Sequence, residues 1–235
     1  MKLLLIHKIA ILICFQIAPL CGEILNNKSF NLLSSLLDEK EWVLDKNRGE
    51  ITVSKKALIS KNIFALKVQK KSYLPFDVIQ KVLKDINRYD EFLSNSKTVK
   101  SLILDRSDKW IDAYQYISSN IPFLSDRKYF FRMSSEKIDK KDSLSFVHWY
   151  LLDQNQYNTS DKMNEENAIY LNFGAGLWLT EKQRDGSSII SYIVYIDPGG
   201  SIPAFAIDKA NEVGIITILE DVLTEASKRL KKEEK

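Results

Sequence analysis

Apolar positions along this chain follow two periods. Between residues 97 and 196 they come in runs that read as strands, at 97–105, 109–118, 127–138, 143–152, 168–180 and 187–196, separated by polar or Gly- and Asp-containing turns. Upstream, "GEITVSKKAL" and "NIFALKVQKKSYL" alternate in part on either side of a polar connection, as paired antiparallel strands do, and Trp42 opens this β-rich section. The helical period occurs three times. "SFNLLSSLLDEKE" at 29–41 puts Phe30, Leu33 and Leu37 on one stripe, with Ser29 as a cap. "LPFDVIQKVLKDI" sets Val78, Val82 and Ile86 at helical spacing behind Pro75, a residue suited to a first turn. After "DPGG" at 197–200, Ala206, Ala210, Val213, Ile216, Leu219, Leu223, Ala226 and Leu230 form a stripe. It predicts a helix from Pro203 to Leu230, about 40 Å long, ending in the solvated tail "KRLKKEEK".

The order is helix, two or three strands, helix, six strands, long helix. That is an α+β pattern: a curved antiparallel sheet gripping a long C-terminal helix. The polar stretch from Asp153 to Asn167 reads as a mobile surface loop. Along the strands, aromatic residues stand in both phases, among them Trp110, Tyr114 and Tyr116, then Tyr129 and Phe131 with Met133. A sheet packed on one face and wet on the other is polar in one phase. Here several strands are apolar in both, so one phase is expected to line a cavity.

The first 22 residues are set apart. Lys2 and Lys8 flank the apolar run "LLLIHKIAILICFQIAPL", closed by "CGE", which reads as a signal peptide and predicts export to a periplasmic or extracellular compartment. Lipidation at Cys21 is the alternative, although Leu20 stands where such sites have a small residue. Cleavage after Gly22 leaves no cysteine, hence neither a disulfide nor thiol chemistry. It also takes Lys2 and Lys8 from the 34 Lys and Arg, leaving 32 against 31 Asp and Glu, a formal +1. A near-neutral chain has no electrostatic footprint for nucleic acid.

Catalytic material is sparse. His148 is the one histidine left after cleavage, so Cys–His pairs and histidine-based zinc clusters are excluded, and in "LSFVHWYLL" it reads as a hydrogen-bonded structural residue. "GAG" at 174–176 lacks the third glycine of a phosphate fingerprint and lies in a strand pattern, which points to a bulge or a close backbone approach. No P-loop is present.

Three stretches together resemble the START domain, the steroidogenic acute regulatory protein-related lipid transfer domain. "DPGGSIPAFAIDKANEVG" resembles its entry into the C-terminal helix, "IPFLSDRKYFFRM" the loop and strand that carry its Arg-Asp-Phe motif, and "YLNFGAGLWLTEK" its penultimate strand. Lys128 stands where that motif has Asp. The resemblance implies a helix-grip fold over residues 42–231, behind a helical segment at 23–41, with an internal hydrophobic tunnel for one lipid. It implies a ligand wall of Trp110, Tyr114, Tyr129, Phe131, Met133, Ala206, Ala210 and Val213, and a gate of Ile121, Phe123, Leu124 and Pro203. Tyr114 and Met133 fall where sterol-binding members carry a charged pair, so an uncharged wall and a sterol, fatty acid or other neutral lipid follow. The expected molecule is a monomer that needs no cofactor or metal and meets a membrane surface transiently. The alternative is a cyclase- or hydrolase-like enzyme on the same fold, with His148 or an inward-facing Asp112 as acid or base. Pro198 and the two glycines are expected to turn the last strand sharply into the helix. Gly214, in mid-helix, marks either a bend or close ligand approach, or tight helix-to-sheet packing.

Overall fold

Two stretches of chain far apart in sequence build a sheet of ten strands. The computed structural model describes residues 27–58, 63–94, 99–119, 125–137, 144–157, 167–200 and 204–233, with backbone alone at 27–28 and 204–212. β1 (Val43–Arg48), β2 (Ile51–Ala57) and β3 (Phe64–Ser72) form one wing. β4 (Val99–Arg106), β5 (Trp110–Ile117), β6 (Arg127–Lys137), β7 (Leu144–Leu151) and β9 (Gly174–Lys182) form the other. β10 (Ser188–Ile196) joins them, pairing with β3 on one side and β9 on the other. The order is β1-β2-β3-β10-β9-β7-β6-β5-β4, antiparallel throughout. The short β8 (Ile169–Tyr170) runs parallel to the start of β6. Thus the strand expected at 168–180 is two strands. The outermost ladders, β1–β2 and β4–β5, each carry a register shift, a device that blunts a sheet edge.

Among the described residues four α-helices complete the fold: α1 (Asn27–Leu37), α2 (Phe76–Lys84), the single turn α3 (Tyr89–Phe92) and α4 (Ala204–Glu233). The two longer inner helices, α2 and α4, pack on each other, and α4 also on β3 and β10; α1 packs on β9, β10 and β7. The sheet therefore has two covered faces and two cores. On the inner face Val53, Leu66, Val68, Phe131, Val147 and Ile190 meet Val78, Val82, Leu219 and Val222. On the outer face Phe146, Tyr150, Leu177 and Ile193 meet Leu32, Leu33, Leu36 and Leu37 of α1. Apolar residues in both strand phases thus have two causes, of which a cavity is only one. Among the described residues no helix is long and apolar enough to cross a membrane.

The turn after β10 is as sharp as its sequence predicts. Gly199 and Gly200 stand at φ +62° and +67°, a region that favours glycine. A side chain at Gly199 would also meet Ile169 Cγ2 at 3.0 Å, so the turn presses on β8.

Candidate functional site

Because directly paired residues of neighbouring strands point to the same side, one phase can be followed across the sheet. Met133, Phe131 and Tyr129 of β6 pair with Ile111, Ala113 and Gln115 of β5. The same side carries Trp149 of β7, Trp178 of β9 and Tyr192 of β10. These side chains do not meet α4 all along its length. Between them lies a cavity of about 350 Å³, roofed by Gly214, Ile215, Ile218, Asp221 and Val222 of α4 and closed laterally by Leu83, Tyr89, Leu93 and Phe64. A methyl group at Gly214 would meet no atom within 4 Å, so this glycine faces open space, and the tight helix-to-sheet packing that was one reading of it is absent.

The wall is mainly aromatic and aliphatic. Trp178 and Tyr192 stack as a cross-strand pair, 4.2 Å between centroids and 13° between planes. Trp149 meets Phe131 edge-on at 6.4 Å and lies over Gly176, its cross-strand partner. A Cβ at Gly176 would sit 2.6 Å from the indole Cζ2, so the "GAG" segment is a close approach of a ring to the backbone. Polar groups are few and engaged. The Tyr129 hydroxyl donates to Gln115 Oε1, and Gln115 Nε2 donates to Ser101 Oγ at 2.9 Å. Burial raises the pKa of the Tyr129 and Tyr192 phenols, which keeps both neutral. Asp221 accepts from Ser94 twice, from N–H and from Oγ, each at 2.6 Å. Among the described residues no group of three or more His, Cys, Asp or Glu side chains is placed to hold a metal.

A sheet curled around a C-terminal helix with an apolar cavity between them has solved counterparts. A STAR-related lipid transfer protein from Xanthomonas axonopodis is similar at 18% identity with a TM-score of 0.67, over 80% of this chain and 99% of that one. Human STARD10 is similar at 16% identity and a TM-score of 0.70, over 90% and 83% of the two chains. Human StAR-related lipid transfer protein 5 is similar at 10% identity and 0.63, over 92% and 97%. The chain has the START fold. No protein-family model matches the sequence. No curated protein matches it either.

In this START fold the residues singled out from sequence divide into four groups. Tyr129, Phe131 and Met133 line the cavity. Tyr114 and Trp110 lie on the opposite face: Tyr114 is buried with Phe130 in the outer core, and Trp110 lies beneath Arg132 at 4.0 Å. The cause is strand phase, since Tyr114 pairs with Phe130 and not with Tyr129. The inward polar residue of β5 is its neighbour Gln115, which the sequence reading missed together with Trp149, Trp178, Tyr192 and Asp221. Val213 is 48% exposed and outside the lining, because a helix turns about 100° between Val213 and Gly214. Ala206 and Ala210 belong to the first turns of α4, whose side chains fall outside the described residues, as do Ile121, Phe123, Leu124 and Pro203 and most of the loop from 153 to 167.

The two acid–base candidates are also outside the cavity. Asp112 points away from it, fully buried, and takes two 2.6 Å hydrogen bonds from Arg132 and a third from the Tyr157 hydroxyl. His148 shares the outer face with Phe146, their rings 5.6 Å apart. Neither of its nitrogens has a hydrogen-bond partner among the described residues, so the expected hydrogen-bonded histidine is a desolvated one, its pKa lowered by burial to about 4. Arg127, the residue retained from the motif, has a positioning task. Its Nε donates to Pro198 O at 3.3 Å and a second nitrogen donates to Ser125 O, tying the start of β6 to the turn before α4.

Proposed function

We propose that this protein binds one hydrophobic lipid in the cavity beneath α4 and carries it between membranes without covalent chemistry. One observation carries the reading: an apolar cavity of about 350 Å³ kept open in an otherwise packed START fold, with Gly214 facing it. Protein interiors close-pack, and an unfilled apolar void forfeits contacts with every atom of its lining. Burial of apolar ligand surface at about 25 cal/mol per Å² supplies the affinity. The fold of the STAR-related lipid transfer proteins supports the same use.

Exchange at a membrane surface is part of the proposal. Phe64 lines the cavity yet is 38% exposed, and Val213, beside Gly214, is 48% exposed, which gives the cavity an apolar rim. The apolar leader at 1–22 supports action outside the cytoplasm, as a free molecule after cleavage. The enzymatic alternative has neither named acid–base group in the cavity, since Asp112 and His148 face the other way.

The test is native mass spectrometry of residues 23–235, purified from its host and again after incubation with mixed lipids, with extraction and identification of the bound molecule. A single stoichiometric lipid is expected. A chain that stays empty with sterols, fatty alcohols, fatty acids and phospholipids overturns the reading.

A further inference from the structure

We infer that the cavity selects a neutral lipid with a hydroxyl head and discriminates against lipids bearing a carboxylate or a phosphate. The inference rests on the carrier reading and narrows it. Its basis is the sign of the wall. Among the described residues, the lining contains no Lys, Arg or His, and its one acidic side chain is Asp221. Asp221 is held in place by both hydrogen-bond donors of Ser94, and among the described residues it has no ion-pair partner. An anionic head placed among the apolar and aromatic side chains of this wall is desolvated without a counter-charge from the described lining, and the acidic side chain nearest it on α4 repels it.

The same wall suits a hydroxyl. Gln115 uses one amide hydrogen on Ser101 and accepts from Tyr129, which leaves its second amide hydrogen and a second lone pair for a ligand. Tyr192, which also lines the cavity, carries a hydroxyl that can donate its hydrogen. A lipid hydroxyl both donates and accepts, and can use either site. A carboxylate only accepts, so it can use the donors but leaves the second lone pair of Gln115 opposing it. Size acts in the same direction: 350 Å³ lies near the lower end of ligand cavities, which run from about 300 to 1,000 Å³. It suits one chain or one compact ring system.

The experiment compares hexadecanol, hexadecanoate and cholesterol, each competing at neutral pH with a bound fluorescent neutral lipid on the delipidated chain 23–235. Hexadecanol is expected to displace the probe at least tenfold more tightly than hexadecanoate. Asp221→Asn should narrow that ratio severalfold by strengthening hexadecanoate, and Gln115→Leu should narrow it by weakening hexadecanol. Circular dichroism of each variant checks that it is folded. Hexadecanoate binding as tightly as hexadecanol, or a ratio that both variants leave unchanged, overturns the selectivity while leaving the carrier reading intact. A chain that takes up neither these lipids nor the probe overturns the carrier reading itself.

Discussion

At the scale of single residues, Gly214 and His148 show opposite uses of an unfilled requirement. Gly214 sits in mid-helix, where glycine costs about 1 kcal/mol against alanine, and no packing contact explains it. Gly214→Phe should therefore send its ring into the cavity without a clash. The expected result is loss of bound lipid in the mass spectrum together with helicity kept and a stability gain of about 0.5 kcal/mol from helix propensity. A variant that still carries lipid would place the ligand elsewhere. His148 is 2% exposed and desolvated, its pKa lowered to about 4. The unfolded chain, with an ordinary histidine near 6.5, binds the proton first as pH falls. The contribution of neutral His148 is therefore complete above pH 6.5 and is lost between 6.5 and about 4, by roughly 3 kcal/mol. Urea unfolding at pH 7 and pH 4.5 should show that loss in the native chain and a smaller one in His148→Leu. Equal slopes in the two proteins would assign the acid sensitivity to other groups.

At the scale of elements, α1 depends on a lysine from the sheet. Lys56, 4% exposed, donates to Ser35 O at 2.8 Å and Asp38 O at 3.0 Å, and the Trp42 indole donates to Asp38 O at 3.1 Å. A cation at the carbonyl end of a helix is favoured by the dipole and satisfies acceptors that the helix leaves open. Lys56→Met should cost about 2 kcal/mol. It should also loosen α1 from the outer core, seen as early amide exchange across 27–37 and binding of a hydrophobic dye; tight protection of α1 in that variant would contradict the role. The strands and helices themselves were legible in the sequence because their periods are long and regular. Which phase faced inward was not, since β5 is apolar in both: Ile111 and Ala113 on one side, Tyr114 and Tyr116 on the other. Pairing resolves the ambiguity. Once Tyr129, Phe131 and Met133 are placed inside, their partners on β5 must be Gln115, Ala113 and Ile111, so Tyr114 and Trp110 are excluded. The stripe on α4 misled for a related reason, because at the cavity the helix presents Gly214, Ile215 and Ile218, a face rotated from the core stripe of Ile216, Leu219 and Leu223. A glycine with no packing task was the available signal.

At the scale of the whole molecule, a cavity of about 350 Å³ makes stability depend on what binds in it. A ligand that binds only the folded chain stabilises it by about 2.7 kcal/mol at a hundred times its Kd. For a protein of this length that is roughly 5 to 10 °C in Tm. Hexadecanol added to the delipidated chain should raise Tm by that amount, and Gly214→Phe, with the space already filled, should not respond; a response from both would mean surface adsorption. The sheet order has a further effect, one of timing. β3 is central to the sheet but finds its second neighbour only in β10, where Val68 pairs with Tyr192, more than a hundred residues along the chain. Contacts of such separation form late, and until residue 196 has emerged the wing of β1 to β3 exposes an unsatisfied strand. A chain that emerges from its N-terminus is thereby held back from premature folding by its own topology, and α4, which follows β10, is the last element to close over the hydrophobic interior.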